Sequence, residues 1–335
     1  MVSKSVILET LIYSDIFDFP LTKDEIGKFL TGKMDKKSFE KELEDSKQIR
    51  FKNNFYYLLG REKIVEKRIE RKKESQQKLI TAKTISRILS LVPTVLFIGI
   101  SGSLALENSD EKDDIDLFVI TSGNTLWITR LILVISLILM GQYRGRGNPP
   151  AGGESNKICL NMLIDETALD FSKRPSSAKA SAGKQNLYTA HEIIQLKLVF
   201  DRNNTFNKFL NANKWIDLFL PNARKRIKNP HNAFASRGRH ESEIKNKKGP
   251  LFIIHYSLFI LEKFSKFLQL LYMKRHRTKE TISDHMLAFH PFEYKDHVLK
   301  EYNRRLRRYD PPSCLLRRSG YEGRVRLRKG HASEA

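Results

Sequence analysis

Cysteine is almost missing from this chain of 335 residues: Cys159 and Cys314 are the two present, far apart in differently composed regions. That excludes a disulfide framework and a zinc knuckle, and makes a reducing cytoplasm the expected location. No basic leader followed by an apolar core and a small-residue cleavage site opens the sequence, so secretion is not expected. Long uninterrupted apolar runs are also lacking. In "LWITRLILVISLILMG" the run after Arg130 falls short of the roughly 20 residues that a spanning helix needs. In "LFIIHYSLFILEKFSKFLQLLYM" it is broken by His255, Glu262, Lys263 and Lys266. Buried helices are expected from both, and no membrane span. Acidic residues are scarce beside basic ones, 38 against 60, for a net charge of +22. Such a balance suits an anionic partner such as a nucleic acid, a nucleotide or an anionic membrane surface. Much of the excess lies in "RIERKK", in Arg224 to Lys248 and after Arg304, so it marks no single site.

What is present reads as several consecutive units, in keeping with a length beyond one small core. "SKSVILETLIYSDIFDF" spaces Val6, Ile7, Leu11 and Ile12 for a helix ending by Pro20. Thr22 with Glu25 has capping-box spacing for a second helix, and Asp35 caps a third with Phe39 and Leu43 inward. "IRFKNNFYYLL" then predicts two short strands joined through Asn53 and Asn54, residues that tolerate the left-handed conformation. Three helices and a hairpin in this order predict a winged helix over residues 1–60. DNA binding through the third helix, with Lys36, Lys37, Lys41 and Lys47, is possible. Glu40, Glu42, Glu44 and Asp45 on the same helix would repel phosphate and favour a protein-contact or spacer role.

A charged linking helix is expected over 61–92, ending before Pro93. The continuous apolar character of "TVLFIGI", "IDLFVIT" and "KICLNMLI" predicts buried strands, with "TLWITRLILVISLILM" a buried helix between the last two. "NLYTAHEIIQLKLVF" reads as one helix and opens a helical C-terminal region over 186–308. His285, His290 and His297 within it match no zinc spacing and are expected to be structural or surface residues. "RGRGNPPAGGES", "RPSSAKASAG" and "SRGRHESEIKNKKGP" lack apolar periodicity and read as insertions or loops outside the core, and the basic tail 309–335 reads as disordered.

Against the basic background, "GISGSLALENSDEKDDIDLF" (99–118) collects Glu107, Asp110, Glu111, Asp113, Asp114 and Asp116. A solvated turn would account for Asp110, Glu111 and Asp113. It would not account for Asp114 and Asp116 flanking Ile115 at the start of a buried strand, where alternation places the two carboxylates on one face. Adjacent carboxylates repel unless a hard cation lies between them, and magnesium takes one or two carboxylates and completes its octahedron with water and phosphate. Upstream, Gly102 and Ser103 sit between a strand and a short helix, where glycine admits a phosphate to the backbone and amides and hydroxyl can donate to it.

These residues resemble the Gly-Ser, spacer, Asp-x-Asp motif of the DNA polymerase beta-like nucleotidyltransferase superfamily, over roughly residues 90–170. The resemblance implies an α+β fold, a small mixed sheet with flanking helices over 93–170. It implies that Asp114 and Asp116 hold Mg2+, that Gly102 and Ser103 bind the phosphates of a nucleoside triphosphate, and that a further helical domain shapes the acceptor site. The implied reaction is attack of an acceptor hydroxyl, on RNA, protein or a small molecule, on the α-phosphate with release of pyrophosphate. The family's third carboxylate should fall at Cys159 or Asn161, and neither is one; Asp165 shares their face by parity and is a candidate third metal ligand. Some relatives take a general base from the helical domain, which makes His191 or Glu192 the candidate here. A solvent-facing pair at a helix start is the plainer reading of those two. Without the third carboxylate, a degenerate nucleotide-binding regulatory or interaction module is the alternative to an enzyme.

Overall fold

The computed structural model describes residues 5–144, 156–172, 185–227, 251–274, 281–289 and 292–309. The segments read above as insertions and as a tail lie, Arg144 and Tyr309 apart, outside the described residues, as does His290. The chain divides into two compact units, one of residues 1–66 with 293–335 and one of residues 67–292.

In the first unit, helices α1 (Val6–Asp15), α2 (Lys23–Phe29) and α3 (Lys36–Asp45) precede strands β1 (Ile49–Lys52) and β2 (Phe55–Leu58). The local chemistry is that of the sequence. Thr22 accepts from the Glu25 amide while the Glu25 carboxylate accepts from the Thr22 amide, and Asp35 accepts from the Ser38 amide. Asn53 and Asn54 have φ of +51° and +67°, which turns β1 antiparallel onto β2 with Lys52 opposite Phe55. Ile7, Ile12, Leu21, Ile26 and Leu58 are fully buried. Helix α4 (Lys63–Leu89) starts here, with Ile64 and Val65 packed on Tyr57. The last described helix, Phe292–Tyr309, groups with this unit and not with the preceding C-terminal residues. The reason is specific: Arg305 pairs with Asp15, and Tyr302 meets Tyr13 edge-on at 5.6 Å.

The second unit is built on one mixed sheet. β3 (Val95–Ile100), helix α5 (Gly102–Ala105), β4 (Ile115–Thr121), α6 (Leu126–Leu139) and β5 (Ile158–Asp165) follow one another. β4 runs antiparallel to β3 and parallel to β5, with α6 as the crossover that a parallel pair requires. After α7 (Leu187–Ile194), the chain forms β6 (Lys197–Asp201), α8 (Thr205–Ala212), α9 (Leu251–Lys274), β7 (Thr281–Ile282) and β8 (Met286–Ala288), before the last helix, α10. The strand order is β6-β3-β4-β5-β8-β7. The protein is therefore α+β, but the region after residue 186 is not purely helical as the sequence suggests. Residues 197–201 leave the expected helix to pair with β3, and β7 and β8 extend the other side of the sheet. Trp127, Ile98, Leu117 and Leu163 lie in the core, and Phe97 stacks on Phe206 at 5.1 Å. Among the described residues no helix is long and apolar enough to cross a membrane.

Candidate functional site

The acidic stretch of 99–118 resolves into carboxylates with different fates. Arg71 binds Asp110 through Nε at 2.7 Å and Nη2 at 2.9 Å, and Lys197 pairs with Glu107, holding that carboxyl below the usual range. Asp113 accepts from Ser103 Oγ at 2.9 Å and from its own loop at the Asp110 amide, 3.0 Å. Lys78 of α4 points into the loop and donates to the carbonyls of Asp110, Glu111 and Asp113 and to Ser109 Oγ. Burial there lowers the Lys78 pKa, opposed by Asp113 and its acidic neighbours. Asp114, nearly buried, pairs with the guanidinium of Arg144.

Asp116 differs from all of these. It lies on β4 opposite Cys159 of β5, and no cationic side chain pairs with it among the described residues. Burial pushes its carboxyl up to about 7, with Asp113 adding to the rise and a hydrogen bond from Cys159 opposing it. The turn of α5 presses directly on it: Gly102 has φ of +65°, and a Cβ there would stand 2.7 Å from Asp116 Oδ2. Only glycine satisfies both conditions, a left-handed backbone and an oxygen inside the space of a side chain.

Glu192 comes to the same place from α7. Its carboxyl is also raised to about 7, first by burial and then by the charge of Asp116, with Gln195 Nε2 donating at 2.7 Å. The reading of His191 and Glu192 as an exposed pair at a helix start does not describe them. Asn186 caps α7, both residues sit a turn or more inside it, and His191 is buried.

Asp165 is not part of this cluster. The register sets Asp116 against Cys159 but Thr121 against Asp165, so Asp165 lies six residues further along β5, about 20 Å at the rise of a strand. There it is fully buried and accepts from the Asn124 amide at 3.2 Å, from Thr167 at its amide and Oγ1, and from His285 Nδ1 at 2.7 Å. It is satisfied as a structural acceptor, which corrects the expectation that it completes a metal site. Asn161, the other candidate for the third position, donates to Ser101 Oγ at 3.3 Å.

Asp116, Glu192, Gly102 and Asp113 are thus brought together, Ser103 joins them through Asp113, and Asp114 is held by Arg144. Cys159 as a donor, Arg144 as a counter-ion and Lys78 as a loop anchor were not apparent in the sequence. Register and three-dimensional proximity, which identify them, leave no local signal. Among the described residues no three His, Cys, Asp or Glu side chains are grouped so as to hold a metal without help. No protein-family model and no curated protein matches the chain.

Proposed function

We propose that the protein is a magnesium-dependent nucleotidyltransferase, which moves a nucleoside monophosphate from a nucleoside triphosphate to an acceptor hydroxyl. One observation carries this reading: the left-handed Gly102 is pressed against Asp116, a half-buried carboxylate that has no cationic partner among the described residues and adds to the raised pKa of Glu192. Buried carboxylates raised by desolvation, with Asp116 adding to the rise of Glu192, are destabilising until something positive arrives. Their hard oxygens fit magnesium rather than a soft metal, and two side chains suffice when phosphates and water supply the remaining ligands. Asp116 would hold the ion, with Asp114 joining when released from Arg144. Bound there, magnesium would neutralise charge on the triphosphate and its leaving pyrophosphate.

The chain's own residues account for the rest. The amides at the Gly102 turn and the Ser103 hydroxyl donate to phosphate oxygens, which can approach because Gly102 has no side chain. Glu192, poised near neutral pH, takes the proton of the acceptor hydroxyl as its oxygen attacks the α-phosphate; the bond to pyrophosphate breaks, and pyrophosphate leaves with the electron pair. The α1–β2 unit we read as a winged helix in a protein-contact role, since Lys23 of α2 is engaged by Glu40 of α3 and acidic residues interleave the α3 lysines. A cytoplasmic location accompanies this reading.

A second reading is favoured by Cys159, which stands opposite Asp116 where a third carboxylate would complete the site. In it the unit binds triphosphate as a regulatory module and does not consume it. Incubating the full chain with magnesium, labelled triphosphates and a panel of RNA, proteins and small aminoalcohols separates the two. Transfer with pyrophosphate release, lost in Asp116→Asn, supports the enzyme; magnesium-dependent binding without turnover supports the sensor. No binding at all removes both.

A further inference from the structure

Helix α9 is built inside out. Leu270 and Met273 near its end join the core, but the other inward residues are polar and hydrogen-bond α6: Glu262 accepts from the amides of Trp127 and Ile128, both at 2.8 Å, and Ser265 Oγ and Gln269 Nε2 donate to the Trp127 carbonyl at 2.9 and 2.7 Å. Arg130 of α6 donates to Gln269 Oε1. The outward residues are apolar: Ile260, Phe264, Phe267 and Leu271 are each half exposed or more, and Ile135 and Leu139 extend the same character onto α6. A helix that packs on a water-soluble core normally has the opposite arrangement. Polar groups satisfied inside and hydrocarbon outside is the arrangement of a helix whose outer solvent is not water.

We propose that the α6–α9 face docks on an anionic lipid bilayer, lying in its interface and not crossing it. This inference goes beyond the nucleotidyltransferase reading and does not depend on it. Length and composition fit the interface. The 24 residues of α9 extend about 36 Å, yet no described helix qualifies as a span. Charge selects the occupant. Lys263 and Lys266 share the carboxylate of Asp284, which leaves the rim of the patch positive. The same lysines on a second copy would repel this rim, where an anionic surface is attracted. Apolar burial then adds to electrostatic attraction, the combination that holds interfacial helices.

The test is flotation of the full chain with phosphatidylcholine vesicles, with and without phosphatidylserine. The protein is expected to float with the anionic vesicles and to be released by high salt, since headgroup attraction is screened. The double variant Phe264→Asp/Phe267→Asp, and separately Ile135→Asp on α6, should lower the bound-to-free ratio roughly tenfold or more, because apolar area is lost and like charge is added. All three positions are exposed, so melting temperatures at or near wild type are expected and certify that the variants fold. Failure of the wild type to float, equal flotation of wild type and folded variants, or a wild-type dimer in light scattering that these substitutions dissociate would each overturn the proposal.

Discussion

Replacing Asp116 by Asn should stabilise the protein without ligand, and should do so only at neutral and alkaline pH. A carboxyl whose usual pKa of 3.8 is raised to about 7 in the folded protein is disfavoured there in its charged form. At about 1.4 kcal/mol per pKa unit the full penalty is roughly 4 kcal/mol above pH 7. The sign follows from proton binding. The folded state holds the proton more tightly, so the penalty is absent below pH 4, grows between pH 4 and 7, and is complete above it. Burial causes most of the rise, the part that belongs to repulsion by Asp113 relaxes when that partner is protonated, and Asn loses the Cys159 hydrogen bond to a charged acceptor. About 2 kcal/mol is the net gain expected at pH 8. That corresponds to roughly 4–8 °C in melting temperature for a domain of this size. The measurement is a pair of thermal melts in chelator, at pH 5 and pH 8, for wild type and Asp116→Asn. Adding magnesium and triphosphate at pH 8 should then raise the wild-type melting temperature and leave the variant where it was. A variant that melts below wild type by the same margin at both pH values would refute the reasoning, because the carboxylate would then be a satisfied structural group.

Glu192→Gln should abolish transfer while triphosphate affinity, read by calorimetry, stays within about threefold, since an amide packs similarly but cannot take a proton. Gly102→Ala should destabilise the fold by about 1–2 kcal/mol in denaturant melts and weaken triphosphate binding tenfold or more, because the backbone is left-handed and the new methyl lands on Asp116 Oδ2. Asp165→Asn should lower stability by about 1–3 kcal/mol and leave magnesium-dependent triphosphate binding unchanged. One amide oxygen cannot serve the amides of Asn124 and Thr167, the Thr167 hydroxyl and His285 together.

The elements legible in the sequence were those whose determinants are local. β4 begins and ends where "IDLFVIT" does because every residue of that run except Asp116 is readily buried, and the hairpin turns at Asn53 and Asn54 because those two side chains accept positive φ. The α2 start is fixed by four residues. What was missed is decided by partners far away in the chain. "HEIIQLKLVF" continues apolar spacing through residues 191–200 and reads as helix, yet β3 offers an open edge and takes Lys197–Asp201 as a strand. β7 and β8 are too short to carry any period. Parity predicted that Asp165 shares a face with Cys159, but the register shift opposite Leu117 and Phe118 adds a residue to β5, so Asp165 pairs with Thr121 on the other face from Asp116 as well as far along the strand. The proximity of Glu192 to Asp116 was suggested by resemblance alone. It could not be inferred from spacing, since α7 follows β5 by more than twenty residues.

Lys78 serves the acidic loop as a counter-ion fastened to the chain. A dissolved cation in that position would come and go with ionic strength and be stripped by a chelator, whereas an ammonium held by three carbonyls and a hydroxyl cannot leave. The stretch from Glu107 to Asp116 is therefore divided in its response to the medium. Its first part keeps its shape in any salt, while Asp116, a few residues on, is left open to whatever cation the solution offers. The entropy of ordering the loop has already been spent during folding, so a ligand arriving at Asp116 meets a wall that does not have to be assembled first.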